Sequence, residues 1–195
     1  MSKKLLFVAL LAVATVFSVS AQKFKKETFN LLKGQSKIYL VFDFTGVTID
    51  GDSEESYIQK HMAGAASPED AEEWGKKWEG SYRARFMSTF AKKCNSELGK
   101  LIVSETFQNA TYAVIVKIND IDPGWFAGGF STPSKLQATF TIVETSNMET
   151  VLDEIFLRKT YNPYSAYQPD EFLRIDMGFE ELGQELGKKL KAAFK

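Results

Sequence analysis

Lys135-Leu-Gln-Ala-Thr-Phe-Thr-Ile-Val143 alternates along its whole length: Leu136, Ala138, Phe140 and Ile142 fall on one side of an extended chain, Gln137, Thr139, Thr141 and Val143 on the other. Successive side chains of a strand point to opposite faces, so the stretch predicts a strand in a sheet with one fully apolar face. Residues 38–44 repeat the pattern, with Ile38, Leu40, Phe42 and Phe44 set against Tyr39, Val41 and Asp43. Shorter or less regular apolar runs predict strands at 101–103, 111–118 and 151–158, separated by the turn formers Asp122-Pro-Gly and Thr145-Ser-Asn-Met. Read in chain order, the four strands after residue 100 are expected to form an antiparallel meander.

Two long helical patterns flank those four strands. Ser67-Pro-Glu-Asp is a helix start, with Ser67 as cap, Pro68 in the first turn and acids at the positive end of the dipole. From there Trp74, Trp78, Tyr82, Phe86, Phe90 and Cys94 recur every four residues to about Leu98, an apolar stripe read as core packing. Four exceeds the helical repeat of 3.6, so the stripe drifts around the helix, and Gly80 is the expected place for a correcting bend. After Pro169, Ile175, Phe179, Leu182, Leu186 and Leu190 keep helical spacing, with Lys188, Lys189, Lys191 and Lys195 toward the negative end. Gly183 and Gly187, four apart, are expected to let this helix approach the sheet. The order strand, helix, four strands, helix predicts an α+β fold: a two-layer sandwich with a mostly antiparallel sheet and two main helices on one face. The other face would carry Tyr39, Val41, Asp43, Ala113, Ile115, Lys117, Thr139 and Thr141, wet or covered by a partner or a second copy of the chain.

The start of the chain supplies an address. Lys3 and Lys4, an apolar run from Leu5 to Val19, and Ser20-Ala21 before Gln22 have the three parts of a cleavable signal peptide, and the run is short for a membrane span. The expected organisation is a signal over residues 1–21, a loosely held lysine-rich N-terminal arm over 22–37 and one α/β domain over 38–195. The product is expected in the periplasm or secreted, and not membrane-spanning. Cys94 is the one cysteine, so no intrachain disulfide forms and no cysteine lies beside the cut to take a lipid. Loss of Lys3 and Lys4 leaves 22 basic against 25 acidic residues, a balance of −3 that argues against a nucleic-acid partner.

Catalytic patterns are sparse. His61 is the sole histidine, and there is no nucleophile elbow, phosphate loop, His-Glu-x-x-His pair or dinucleotide glycine pattern; no cofactor is expected. The acids Asp50, Asp52, Glu54 and Glu55 follow the first strand. A carboxylate-dependent hydrolase would need two of them facing one substrate. Asp50, Asp52 and Glu54 also carry a calcium alternative, although the glycine expected at the sixth loop position is missing. The binding candidate is the segment 122–130, in which Trp125, Phe126 and Phe130 stand among glycines. These rings either form an exposed platform or fold back over a sheet end. Tyr161, Tyr164 and Tyr167, beside Pro163 and Pro169, extend the patch if the two loops meet.

The Ser-Ala-Gln signal end, the strand at 38–44, the strand and turn at 111–123 with Trp125, and Phe140–Glu144 together resemble exported proteins of Bacteroidetes bacteria. The strand, helix and meander order is similar to the N-terminal domain of TolB and to small envelope-assembly lipoproteins, from which the absence of a lipid-anchor cysteine departs. The resemblance implies an envelope location and carries over no catalytic residues. The expected function is a non-catalytic binding or assembly module of the cell envelope, with a protein, glycan or lipid partner. The alternative is the small extracytoplasmic hydrolase.

Overall fold

A computed structural model describes residues 23–192; the expected signal segment lies outside the described residues. In chain order the elements are α1 (Lys26–Leu32), β1 (Lys37–Asp43), β2 (Thr48–Ile49), β3 (Asp52–Ser53), α2 (Glu54–Ala63), α3 (Pro68–Lys77), a π-helical turn (Trp78–Tyr82) and α4 (Arg83–Leu98). There follow β4 (Ile102–Ser104), β5 (Tyr112–Asp122), β6 (Trp125–Ala127), β7 (Phe130–Thr132), β8 (Lys135–Glu144), β9 (Asn147–Thr160), a 3-10 turn (Pro163–Tyr167) and α5 (Glu171–Ala192). The fold is α+β, a sheet with helices layered on its apolar face.

The sheet is mixed, and β5 lies at its centre. β8 pairs antiparallel along one edge of β5, from Tyr112↔Glu144 to Asp122↔Lys135, and β9 pairs antiparallel outside β8. The other edge of β5 takes β1 in parallel, Tyr39↔Ala113 to Asp43↔Lys117, and then β2, with Thr48 opposite Asp120. β4 departs from the expected meander, because it pairs in parallel with the far side of β1. Alternation shows that 101–103 is extended but carries no information on which strand it joins or in which direction.

Leu136, Ala138, Phe140 and Ile142, together with Val114, Val116 and Ile118, are fully buried beneath the helices. α4 and α5 run parallel over this face with matched four-residue steps: Phe86 stacks on Phe179 with centroids 5.0 Å apart, Gly183 meets Phe90, and Gly187 meets Cys94. A Cβ at Gly187 would lie 2.7 Å from the Cys94 carbonyl oxygen, and one at Gly183 would collide with the Phe90 carbonyl. The two glycines therefore admit α4, not the sheet; the glycine pressed on the sheet is Gly178, against Leu136.

Ser67 caps α3 as expected, its hydroxyl accepting from the Asp70 amide at 3.1 Å. Each step of four residues overshoots a helical turn by about 40°. The π turn at 78–82, which includes Gly80, inserts a residue and absorbs about 100° of that drift. Trp78, Phe86, Phe90 and Cys94 thus all reach the core, while Trp74 and Tyr82 are half-buried at its rim.

The segment expected as a loose arm is packed. Phe24, Thr28 and Leu32 are buried, the Thr28 hydroxyl donates to Asp153 Oδ2 at 2.7 Å, and the Lys25 amide donates to the same oxygen at 2.6 Å. Two apolar anchors and a capped buried carboxylate outweigh the solvated lysines between them.

Burial also sets a pH dependence. Burial, with Glu97 nearby, pushes the Cys94 thiol up from its ordinary 9.0; burial, then Glu171, pushes the Tyr57 phenol up from 10.0. Both groups are held neutral in the fold and ionise more readily in the unfolded chain. Their contribution is complete below those ordinary values and is lost as pH rises above them. Urea midpoints measured from pH 7 upward should fall beyond about pH 9, and the Cys94→Ala/Tyr57→Phe variant should show a flatter decline.

Candidate functional site: an exposed aromatic end

The connection from β5 to β8 leaves the main sheet and forms its own two-stranded ribbon, β6 with β7. Its base turns at Gly124, whose φ of 65° and contact with the Thr132 and Pro133 backbone leave no room for a side chain. The Asp122 carboxylate accepts the Gly124 amide at 2.9 Å and closes that turn. At the tip Gly128, φ 61°, takes the positive value that the first position of a two-residue hairpin turn requires.

The rings do not fold back. Trp125 is 49% exposed, Phe126 38%, Phe130 77%, Tyr164 70% and Tyr167 73%. The two loops meet, since the 3-10 turn packs against both β6 and β7. The Ser134 amide donates to Ser165 Oγ at 3.0 Å, and Ser165 is buried between the loops. The Asn162 carboxamide caps the turn by accepting the Tyr164 amide at 3.0 Å.

Arg174, which sequence reasoning passed over, joins the two loops from behind. It projects from the first turns of α5 and is buried. Nε donates to the Pro123 carbonyl at 2.9 Å, Nη2 to Gly124 at 3.3 Å, and Nη1 to Gln168 and Pro169 at 2.9 and 2.8 Å. One guanidinium fork thus ties the base of the hairpin to the end of the tyrosine loop, a geometry that a lysine ammonium does not reproduce.

The acids after β1 do not gather. Asp52 pairs with Lys60, Glu54 takes both the Trp78 indole N–H at 2.9 Å and Arg83, and Glu55 accepts from Gln59 on the exposed side of α2. Asp50 sits in a turn at φ 53°. Among the described residues no three His, Cys, Asp or Glu side chains are grouped to hold a metal, so the calcium alternative on Asp50, Asp52 and Glu54 finds no site. Asp52 and Glu54 are each tied to a cation of the chain itself rather than turned together toward a substrate.

His61 is held on several sides. Its ring stacks on Trp74 at 4.6 Å, Nδ1 lies 3.1 Å from the Tyr57 carbonyl, and Nε2 lies 3.4 Å from Glu171 Oε1, which also accepts the Tyr57 hydroxyl. The cluster pins α2 and α3 to the start of α5.

The sheet's second face is laced by its own polar groups. Asp120 accepts from Thr48 at 2.5 Å and from Gln137 at 3.1 Å, Thr139 donates to Asn119 at 3.0 Å, and Lys135 pairs with Asp122 at 3.1 Å. Tyr39, Val41, Asp43, Ile115, Lys117 and Thr139 are half-exposed, whereas Ala113 and Thr141, expected on this open face, are buried.

Compared with protein-family models and with curated proteins, the chain matches none. Among solved structures it is similar to the PelC dodecamer from Paraburkholderia phytofirmans, at 11% identity over 77% of this chain and 88% of that one, with a TM-score of 0.38. Likeness of that degree carries no argument about function. No described helix is long and apolar enough to cross a membrane.

Proposed function

We propose that the protein is a non-catalytic binding module of the bacterial cell envelope, and that it engages its partner through the aromatic end. One observation carries the reading. Five large rings, Trp125, Phe126, Phe130, Tyr164 and Tyr167, stand exposed on two loops that pack together, while a buried arginine holds both loops from within. A folded chain gains no stability from rings left in water, and clustered exposed aromatics are characteristic of recognition surfaces.

The test is a quantitative pull-down from envelope extract with the mature protein beside a Trp125→Ala/Phe126→Ala variant. Because the substituted rings are exposed, the variant should keep its circular dichroism and thermal midpoint, with a change within about 0.5 kcal/mol per site. Capture should drop at least about tenfold, as loss of a central aromatic anchor costs roughly 2 kcal/mol or more. Equal capture by both proteins, or unfolding of the variant, would refute the assignment.

A further inference from the structure

We infer that the occupant of the aromatic end is a lipid surface, into which the β6–β7 hairpin inserts at headgroup depth. The inference rests on the aromatic end being the binding surface and names what binds there.

The register of the ribbon argues against a flat partner. Trp125 lies opposite Thr132 and Ala127 opposite Phe130, so Trp125 and Phe130 share one face, while Phe126, opposite Ser131, lies on the other. All of β6 is exposed. A sugar ring or a flat protein surface covers one face of such a ribbon and leaves the other in water. A fluid apolar phase surrounds both.

Charge is distributed in the same sense. From Pro123 to Ser134 there is no charged residue, and from Tyr161 to Pro169 there is none either. Charges return at the base, where Lys135 pairs with Asp122 at 3.1 Å and Arg158 is exposed on β9. The ordering of ring types also fits. Phe130, with no polar atom, is the most exposed ring and sits next to the tip, whereas the tyrosines, with a polar end, stand at the base. Tyr and Trp favour the water boundary of a bilayer.

Dimensions agree with that depth. Three residues per strand reach about 10 Å beyond the base. Interfacial elements bury their apolar side about 5–10 Å deep. The cross-strand pairing satisfies part of the hairpin backbone before it leaves water, which lowers the cost of entry.

Flotation of the mature protein with vesicles of phosphatidylethanolamine and phosphatidylglycerol, and separately of phosphatidylcholine, tests the inference. The wild type should float with both and remain bound in about 0.5 M salt, where surface charge attraction is screened. A Phe126→Ser/Phe130→Ser variant, unchanged in circular dichroism, should lose at least about tenfold in partitioning. No flotation, flotation abolished by salt, or equal flotation of the variant would overturn the lipid assignment. Capture of an envelope protein or glycan through the same rings without flotation would sink the lipid assignment and leave the binding reading standing. If neither flotation nor capture depends on the rings, both fall.

Discussion

Replacing Gly183 with alanine should lower stability by about 3 kcal/mol and the thermal midpoint by about 10 °C. An exposed helical glycine normally gains up to about 1 kcal/mol on becoming alanine. At Gly183 the added methyl would strike the Phe90 carbonyl, a main-chain atom of α4 that no rotamer change can move aside. α4 would have to back away from α5, and the Phe86–Phe179 stack and the buried Phe90 would lose contact with it. Gly80 is the control, since a Cβ there meets nothing within 4 Å and its substitution should shift the midpoint little. Urea denaturation of both variants checks the account; a neutral Gly183→Ala would show that the helix pair is looser than its close contacts imply.

Arg174→Met should cost about 3–5 kcal/mol, because four backbone carbonyls lose the donor that joins them. The damage should be local. Amide exchange in 123–134 and 161–170 should accelerate far more than in β5, as the loops reach for water to satisfy the freed carbonyls. Envelope capture should fall even though no aromatic ring has been removed. Arg174→Lys should not restore it, since one ammonium cannot span both loops. If exchange rises evenly across the domain, Arg174 is a general core residue and not the part that positions the aromatic end.

Much of the fold was legible where the side-chain period is strict. Lys135–Glu144 and Lys37–Asp43 alternate because one side of each strand is apolar and buried, although at the end of the former Thr141 and Val143 on the other side are buried too. α3 and α4 follow from the capped start and the four-residue aromatic repeat, with the π turn standing where a bend at Gly80 was expected. Partnership was not legible. The parallel insertion of β1 between β4 and β5 is a fact of chain return, about which local period says nothing. α1 was hidden by its lysines, because the anchors Phe24 and Leu32 are too few in so charged a segment to register as periodic.

The site divides in the same way. Trp125, Phe126, Phe130, Tyr164 and Tyr167 were visible as a collection of rings among glycines and prolines, but whether they faced water depended on β6–β7 leaving the sheet, and three-residue strands in a glycine-rich stretch leave almost no signal. Arg174 stood in the sequence as one more charge near the start of a helix. Its burial arises only when Pro123 and Pro169, far apart in sequence, arrive on either side of it.

The most direct test of the aromatic end as the recognition surface uses 5-fluorotryptophan. The protein has three tryptophans, of which Trp78 is buried, Trp74 half-buried and Trp125 exposed on the hairpin. A Trp125→Phe variant assigns its fluorine resonance. On addition of envelope membranes that resonance should shift or broaden while those of Trp74 and Trp78 hold still. Binding of the membranes with the Trp125 signal unmoved would contradict the account.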